Sequence, residues 1–160
     1  MPIGRVHLFY GLAGSGKSTL ARSLCAHGEG VRFTLDEWML RLYPSLHFET
    51  RAYGVKAVEV RDLIWSIAEQ VLLTGSDVVL DWNFWSAERR RWAVDRAAAV
   101  DAPVILHKHT ASIETASERA QARTERDTQY THSVTHAGNR HLAGLMEEPR
   151  GEEGIEIREH

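Results

Sequence analysis

Residues 11–19, Gly-Leu-Ala-Gly-Ser-Gly-Lys-Ser-Thr, constrain the fold of this chain more than any other segment. They read as G-x-x-x-x-G-K-S, preceded by an apolar run over 6–10 and followed by a helix-like stretch over 18–27. A glycine-rich loop between a strand and a helix can wrap its backbone N–H groups around a polyphosphate. The helix N-terminus adds partial positive charge, and Lys17 adds a full one. On this reading Gly11, Ala13, Gly14, Ser15, Gly16, Lys17, Ser18 and Thr19 cradle a nucleoside triphosphate, with ATP the expected nucleotide. Ser18 is placed to ligate a Mg²⁺ ion bridging two phosphates.

Around the loop, strand-like and helix-like segments alternate. Strands are predicted over 5–10, 31–34, 77–81, 103–109 and 154–158. The third and fourth are short, nearly continuous apolar runs, the pattern of parallel strands covered on both faces. A long helix is predicted over 52–74, with Val55, Val58, Leu63, Ile67 and Val71 as its apolar stripe and Gly75 as its stop. Ser86 is expected to cap a helix over 87–100, with Glu88 in its first turn. Ser112 opens another, to about residue 126, and a further helical piece covers roughly 132–147 before Pro149. Such alternation predicts a doubly wound α/β fold with right-handed crossovers. With 160 residues and no internal repeat or linker, a single domain over 1–160 is expected.

The formal charge of −3, from 19 basic and 22 acidic residues, gives no support to a long nucleic-acid groove. No stretch approaches the roughly 18 apolar residues of a membrane span. The first strand begins almost at residue 1, so no signal peptide is expected and the protein is read as cytoplasmic. Cys25 is the only cysteine, which excludes an internal disulfide and suggests a small buried apolar role.

Two carboxylates stand where an open α/β sheet places its ligands, at the carboxyl ends of strands. Asp81, after Val78-Val79-Leu80, fits the acid that holds Mg²⁺, with capping of the next turn as the alternative. Asp36, just past the second strand, fits the base that takes a proton from an acceptor hydroxyl. Its alternative is N-cap of a helix over 37–43. Arg119, Arg123 and Arg126 share spacings of four and three residues and suggest a phosphoryl clamp in a lid over about 119–135. Neighbouring Glu118, Glu125 and Asp127 leave a solvated ion-pair face as the other reading. Trp82, Phe84 and Trp85 read as core more readily than as an acceptor platform. His132 and His136 have an i,i+4 spacing, but with His141 they do not amount to a zinc site. His107 and His109, flanking Lys108, read as surface or supporting groups.

Gly-Leu-Ala-Gly-Ser-Gly-Lys-Ser-Thr-Leu-Ala, then Leu-Asp-Glu-Trp, then Asp-Val-Val-Leu-Asp-Trp-Asn-Phe-Trp-Ser, together resemble the small bacterial AAA_33-type P-loop kinases. Chloramphenicol phosphotransferase, the tunicamycin-resistance protein, zeta toxins and polynucleotide kinase domains are relatives of that group. The resemblance spans residue 5 to the arginine-rich segment. It implies a three-layer P-loop NTPase fold whose five-stranded parallel sheet, order 2-3-1-4-5, carries helices on both faces. It also implies phosphoryl transfer from ATP to a hydroxyl, with Asp36 as the base. The zeta-toxin D-x-x-R pattern is absent, because Met39 stands at its third position and Arg41 is out of register. The expected function is therefore ATP-dependent phosphorylation of a small-molecule acceptor by a monomer or homodimer. Residues 41–61 would form the acceptor side, offering Arg41, Arg51 and Arg61. The alternatives are a polynucleotide 5′-hydroxyl kinase and a non-enzymatic nucleotide switch.

Overall fold

The computed structural model describes residues 2–126 and 135–160. Its elements are β1 (Val6–Tyr10), α1 (Lys17–Cys25), β2 (Gly30–Phe33), α2 (Leu35–Leu42), α3 (Arg51–Leu73), β3 (Asp77–Asn83), α4 (Ala87–Ala98), β4 (Val104–Lys108), α5 (Ile113–Arg126), α6 (His136–Leu145), a single 3₁₀ turn (Gly151–Glu153) and β5 (Glu156–Glu159). All five strands run parallel in the order β2-β3-β1-β4-β5, the order expected from the resemblance.

β1 sits at the centre, and every one of its residues is buried. Because side chains alternate along a strand, its two faces serve different layers. Val6, Leu8 and Tyr10 enter the main core with Ile64, Trp65, Ala68 and Leu72 of α3 and Ala93 and Ala97 of α4. Phe9 faces the other way, packing with Val79 against Ala21 of α1. Helices therefore cover both faces. Leu8, Leu80 and Leu106 are fully buried in the main core, and each contributes about 1.5–3 kcal/mol of hydrophobic stabilisation. The sheet thus gives a rigid base for the loops at its carboxyl edge.

Four sequence expectations are corrected here. Most of the stripe predicted for the long helix points outward: Val55, Val58 and Leu63 are about half exposed and Ile67 is more than a third exposed, while Val71 alone packs against the core. The packed face is Val60, Ile64, Trp65, Ala68 and Leu72. Both sets have helical spacing, so periodicity alone could not choose between them. Asp36 does not cap α2; Thr34 occupies the N-cap, and Asp36 lies in the first turn. β3 continues through Asn83, so Asp81 lies within the strand rather than closing it. Of the two readings of His107 and His109, the surface one fails because both are buried, and His109 supports the loop through the Ser15 carbonyl.

Other local signals hold. Ser86 Oγ accepts the Arg89 N–H and Ser112 Oγ accepts the Thr115 N–H, the two caps read from sequence. Trp82 and Phe84 are buried and stacked, with ring centroids 5.2 Å apart. Among the described residues no helix is long and apolar enough to cross a membrane.

Candidate active site

The loop between β1 and α1 is shaped by two glycines that no other residue replaces cheaply. Gly14 has φ +85°, and a Cβ there would collide with the carbonyl oxygen of Ala116 in α5. Gly16, with φ 103°, turns the chain into α1 and leaves the helix without a side-chain cap. The N-terminal amides of α1 therefore open toward the loop, where an anion is favoured.

Two asparagine amides hold the loop from outside it. Asn83, at the end of β3, accepts the Gly11 N–H at 3.3 Å and donates to the Gly11 carbonyl at 2.9 Å. Asn139 of α6, fully buried, accepts the Ala13 N–H and donates to the Ala13 carbonyl, both at 3.0 Å. Each side-chain amide pairs with the loop as a neighbouring strand would, satisfying backbone groups that the irregular turn leaves without a ladder. Asn139 donates also to Ser117 Oγ at 3.2 Å, which joins α5, α6 and the loop. Sequence reading passed over both residues, since an asparagine 126 positions away carries no local signal of the turn it pairs with.

Lys17 folds back across the loop, donating from Nζ to the carbonyls of Gly11 at 2.8 Å and Leu12 at 2.6 Å. Burial, then the nearby Arg123, pushes its pKa down to about 8, while Asp81 and Asp36 act in the opposite direction. Ser18 Oγ donates to Asp81 Oδ1 at 3.1 Å. A hydroxyl in the first turn of α1 and a carboxylate on β3, brought this close, are the donor set able to hold a hard divalent cation beside a phosphate. Asp81 Oδ2 accepts from Arg32 Nε at 2.8 Å and Nη2 at 2.7 Å. Arg32, on β2, is another residue that the sequence did not single out.

These groups open into one cleft of about 380 Å³ that also receives Asp36, Tyr53, Arg89 and Arg123. Tyr53, near Asp36, has its phenol pKa pushed up, first by burial and then by that carboxylate. Arg89, at the start of α4, lies over the Trp85 ring at 5.1 Å and donates to the Asn83 carbonyl. Three buried polar atoms on residues of the loop and cleft, Ser15 Oγ, Thr34 Oγ1 and Arg123 Nε, have no hydrogen-bond partner. Leaving such atoms unmatched is costly, which makes these three candidates to pair with a polar ligand.

The structure thus brings Lys17, Ser18, Asp36, Asp81 and Arg123 to one cleft. Thr19 and Arg119 are exposed and lie outside its lining. The Arg126 side chain and residues 127–134 of the proposed lid, His132 among them, fall outside the described residues. Arg41, Arg51 and Arg61 do not line the cleft either; Arg61 stacks 4.4 Å over Trp92 instead. Beside Lys17 and Arg123, the cationic side chains there are Arg22, Arg32 and Arg89. A larger cavity of about 630 Å³ lies beneath α4 and the C-terminal turn, where Arg90 pairs with Glu153 at 3.0 Å. Among the described residues no group of three or more His, Cys, Asp or Glu is arranged to hold a metal.

A family model described as an AAA domain, AAA_33, matches residues 6–147. The chain belongs to the AAA_33 family. This AAA_33 protein is a P-loop kinase-like domain, and its fold recurs in solved structures. The Pnkp1/Rnl/Hen1 RNA repair complex matches 91% of the chain at 19% identity and TM-score 0.72, and the AAA_33 protein spans 45% of that larger chain. Kti12 from Chaetomium thermophilum, in complex with ADP-AlF3, matches 96% at 19% identity and TM-score 0.70, covering 88% of Kti12. A gluconokinase from Sinorhizobium meliloti 1021 matches 99% at 16% identity and TM-score 0.63, covering 84% of that enzyme. At these identities the likeness is one of fold. A search of curated protein sequences finds no match.

Proposed function

We propose that this AAA_33 protein is a phosphotransferase that moves the γ-phosphoryl group of ATP to a hydroxyl of a small molecule. The observation that carries the reading is the convergence of Asp36 with Lys17, Ser18 and Asp81 on one cleft. In a protein that only binds nucleotide, a carboxylate in the same cleft as the loop lysine has no obvious task.

On this reading the loop amides and Lys17 hold the β- and γ-phosphates, with Nζ exchanging its two carbonyl partners for phosphate oxygens. Ser18 and Asp81 hold Mg²⁺, which supplies charge neutralisation on the phosphates when bound. Asp36 orients the acceptor hydroxyl and accepts its proton as the new oxygen–phosphorus bond forms and the bond to the β-phosphate oxygen breaks. Arg123, with an unmatched buried Nε, is placed to meet the charge on the transferred group. Tyr53, Arg89 and Phe48 line the cleft on the Asp36 side, where an acceptor carrying both polar and apolar surface fits.

The test is Asp36→Asn, which keeps the side-chain size but removes the proton acceptor. ATP consumption is measured with panels of hydroxyl metabolites and 5′-hydroxyl oligonucleotides. The acceptor-dependent rate is expected to fall about 10²–10⁴-fold, with ATP binding within twofold of wild type. An unchanged rate removes Asp36 from the chemistry. Stimulation by oligonucleotides alone replaces the small-molecule acceptor with a nucleic-acid end, and no stimulation by either panel favours the switch.

A further inference from the structure

Asp81 is the most enclosed acid of the cleft, its side chain 2% exposed, and protein donors meet both of its oxygens. Ser18 takes Oδ1, while Arg32 places two nitrogens on Oδ2. The reach follows from register: Arg32 pairs with Val79, and Asp81 follows two positions later on the same face of β3. The third guanidinium nitrogen, Nη1, stands 3.7 Å from Glu37 Oε2 in the first turn of α2. Glu37 is the immediate neighbour of Asp36. One guanidinium therefore lies between the acid assigned to the metal and the helix that carries the assigned base.

We propose that Arg32 is a positioning residue that exchanges Asp81 for Glu37 when Mg²⁺-nucleotide enters, and so transmits loading of the phosphate site to α2 and Asp36. The inference rests on the phosphate-loop reading above. A divalent cation held by Ser18 and Asp81 stands within a few ångströms of the guanidinium on Oδ2, and like charges that close repel strongly in a partly desolvated cleft. The exchange is short: closing from 3.7 Å to hydrogen-bond distance is a movement of about an ångström. At no point is a buried charge left alone, since Arg32 passes from one carboxylate to the other while the cation takes over Asp81. The planar fork suits this role, because it addresses two acids along different edges, as an ammonium group does not. Pulling Glu37 inward tightens the first turn of α2 and fixes the direction of Asp36.

Two substitutions with opposite expected signs test the exchange. Mg²⁺-dependent ATP binding is measured by calorimetry on the full chain, with thermal melting as a fold control. Arg32→Gln frees Asp81, so half-saturating Mg²⁺ should fall about fivefold or more, while metal-free ATP affinity drops because the cleft loses a cation, and kcat is lowered about tenfold through loss of the tie to α2. Glu37→Gln removes the landing partner, so half-saturating Mg²⁺ should rise about threefold or more. Arg32→Lys, which keeps charge without the fork, should lie between wild type and Arg32→Gln in Mg²⁺ dependence. If Arg32→Gln leaves Mg²⁺ dependence unchanged or weakens it, Arg32 is a brace between strands and the proposal is overturned. Should Arg32→Gln fail to fold, unchanged Mg²⁺ dependence in Glu37→Gln and Arg32→Lys overturns it equally. Absence of ATP binding by wild type is a separate failure, that of the phosphate-loop reading.

Discussion

Lys17 shows how a single residue's surroundings set its use. Enclosed by the loop and next to Arg123, it holds its proton only to about pH 8. A bound triphosphate favours the charged form, so the complex carries more protons than the free protein above that pH. ATP affinity is then expected to fall as pH rises past 8, by up to about tenfold per pH unit, with proton uptake on binding. Calorimetry at pH 9 in buffers of differing ionisation enthalpy detects that uptake; zero uptake in all buffers places the Lys17 charge away from the phosphates. For stability, the depressed pKa is a cost while Lys17 stays charged, and that cost fades between about pH 8 and the unperturbed value of 10.5. Asn139 acts by geometry instead of charge. Asn139→Leu removes its paired hydrogen bonds to Ala13 and leaves half-buried backbone groups without their partner. A loss of about 1–3 kcal/mol in urea unfolding is expected, together with weaker ATP binding. Unaltered nucleotide affinity would sink its role in shaping the loop. The glycines and lysine of this loop were legible in sequence because their effects are local, whereas the asparagines became visible only across the fold.

Among the elements, α4 joins the cleft to the far side of the molecule. Its Arg89 faces the cleft, and the next residue, Arg90, is 1% exposed on the other side. Arg90 Nε donates to Glu153 at 3.0 Å and Nη1 donates to the Phe84 carbonyl at 3.0 Å. It thereby ties the C-terminal 3₁₀ turn, and β5 behind it, to the end of β3. Arg90→Met removes the donor of the Phe84 carbonyl and the counter-charge of Glu153, which keeps the Arg150 N–H at 2.7 Å, and is expected to cost about 1–3 kcal/mol of unfolding free energy. The double variant Arg90→Met/Glu153→Gln should recover part of that loss; full additivity of the two single effects in urea melts would mean that the pair is not coupled. Adjacent arginines in sequence gave no hint of this division of labour. Helical geometry turns consecutive residues by about 100°, so one can enter the cleft while the next is buried behind it.

At the scale of the whole molecule, a chain of imidazoles crosses the sheet on the α1 side. His7 Nε2 meets Asp77 Oδ2, His7 Nδ1 meets His107 Nε2, and His107 Nδ1 meets His160 Nε2, each at 2.9 Å. Neutral rings satisfy all three contacts if each donates toward Asp77 and accepts from the ring behind it. His109 stacks on His160 and donates from Nδ1 to the Ser15 carbonyl of the phosphate loop. Burial, followed by the neighbouring His7, His160, Arg158 and His109, holds the His107 pKa down to about 3. Burial, with His160 and Lys17, lowers that of His109 to about 4. The unfolded chain therefore binds these protons first as pH falls. Their stabilising contribution is complete above about 6.5 and is lost progressively as pH drops toward 4 and below. Each group contributes a slope of about 1.4 kcal/mol per pH unit in that window. His107→Phe, which keeps a ring between Phe9 and His7, should flatten the acid limb of stability measured by urea midpoints from pH 7 to 4. An unchanged slope would locate the acid sensitivity elsewhere.

The sequence by itself determined the phosphate loop and the caps at Ser86 and Ser112, because each depends on a short run of residues obeying local backbone rules; the strand order was legible only through the resemblance to a family. It also named Asp36, Asp81, Ser18 and Arg123, all of which reach the cleft. Tertiary structure decided which face of α3 is buried, since two sets of residues satisfied the same helical period. It decided too that Arg22, Arg32 and Arg89, not Arg41, Arg51 and Arg61, supply charge to the cleft. Those assignments depend on register between β2 and β3 and on the path of α4, and pairing between distant segments leaves no trace in the order of residues along one of them.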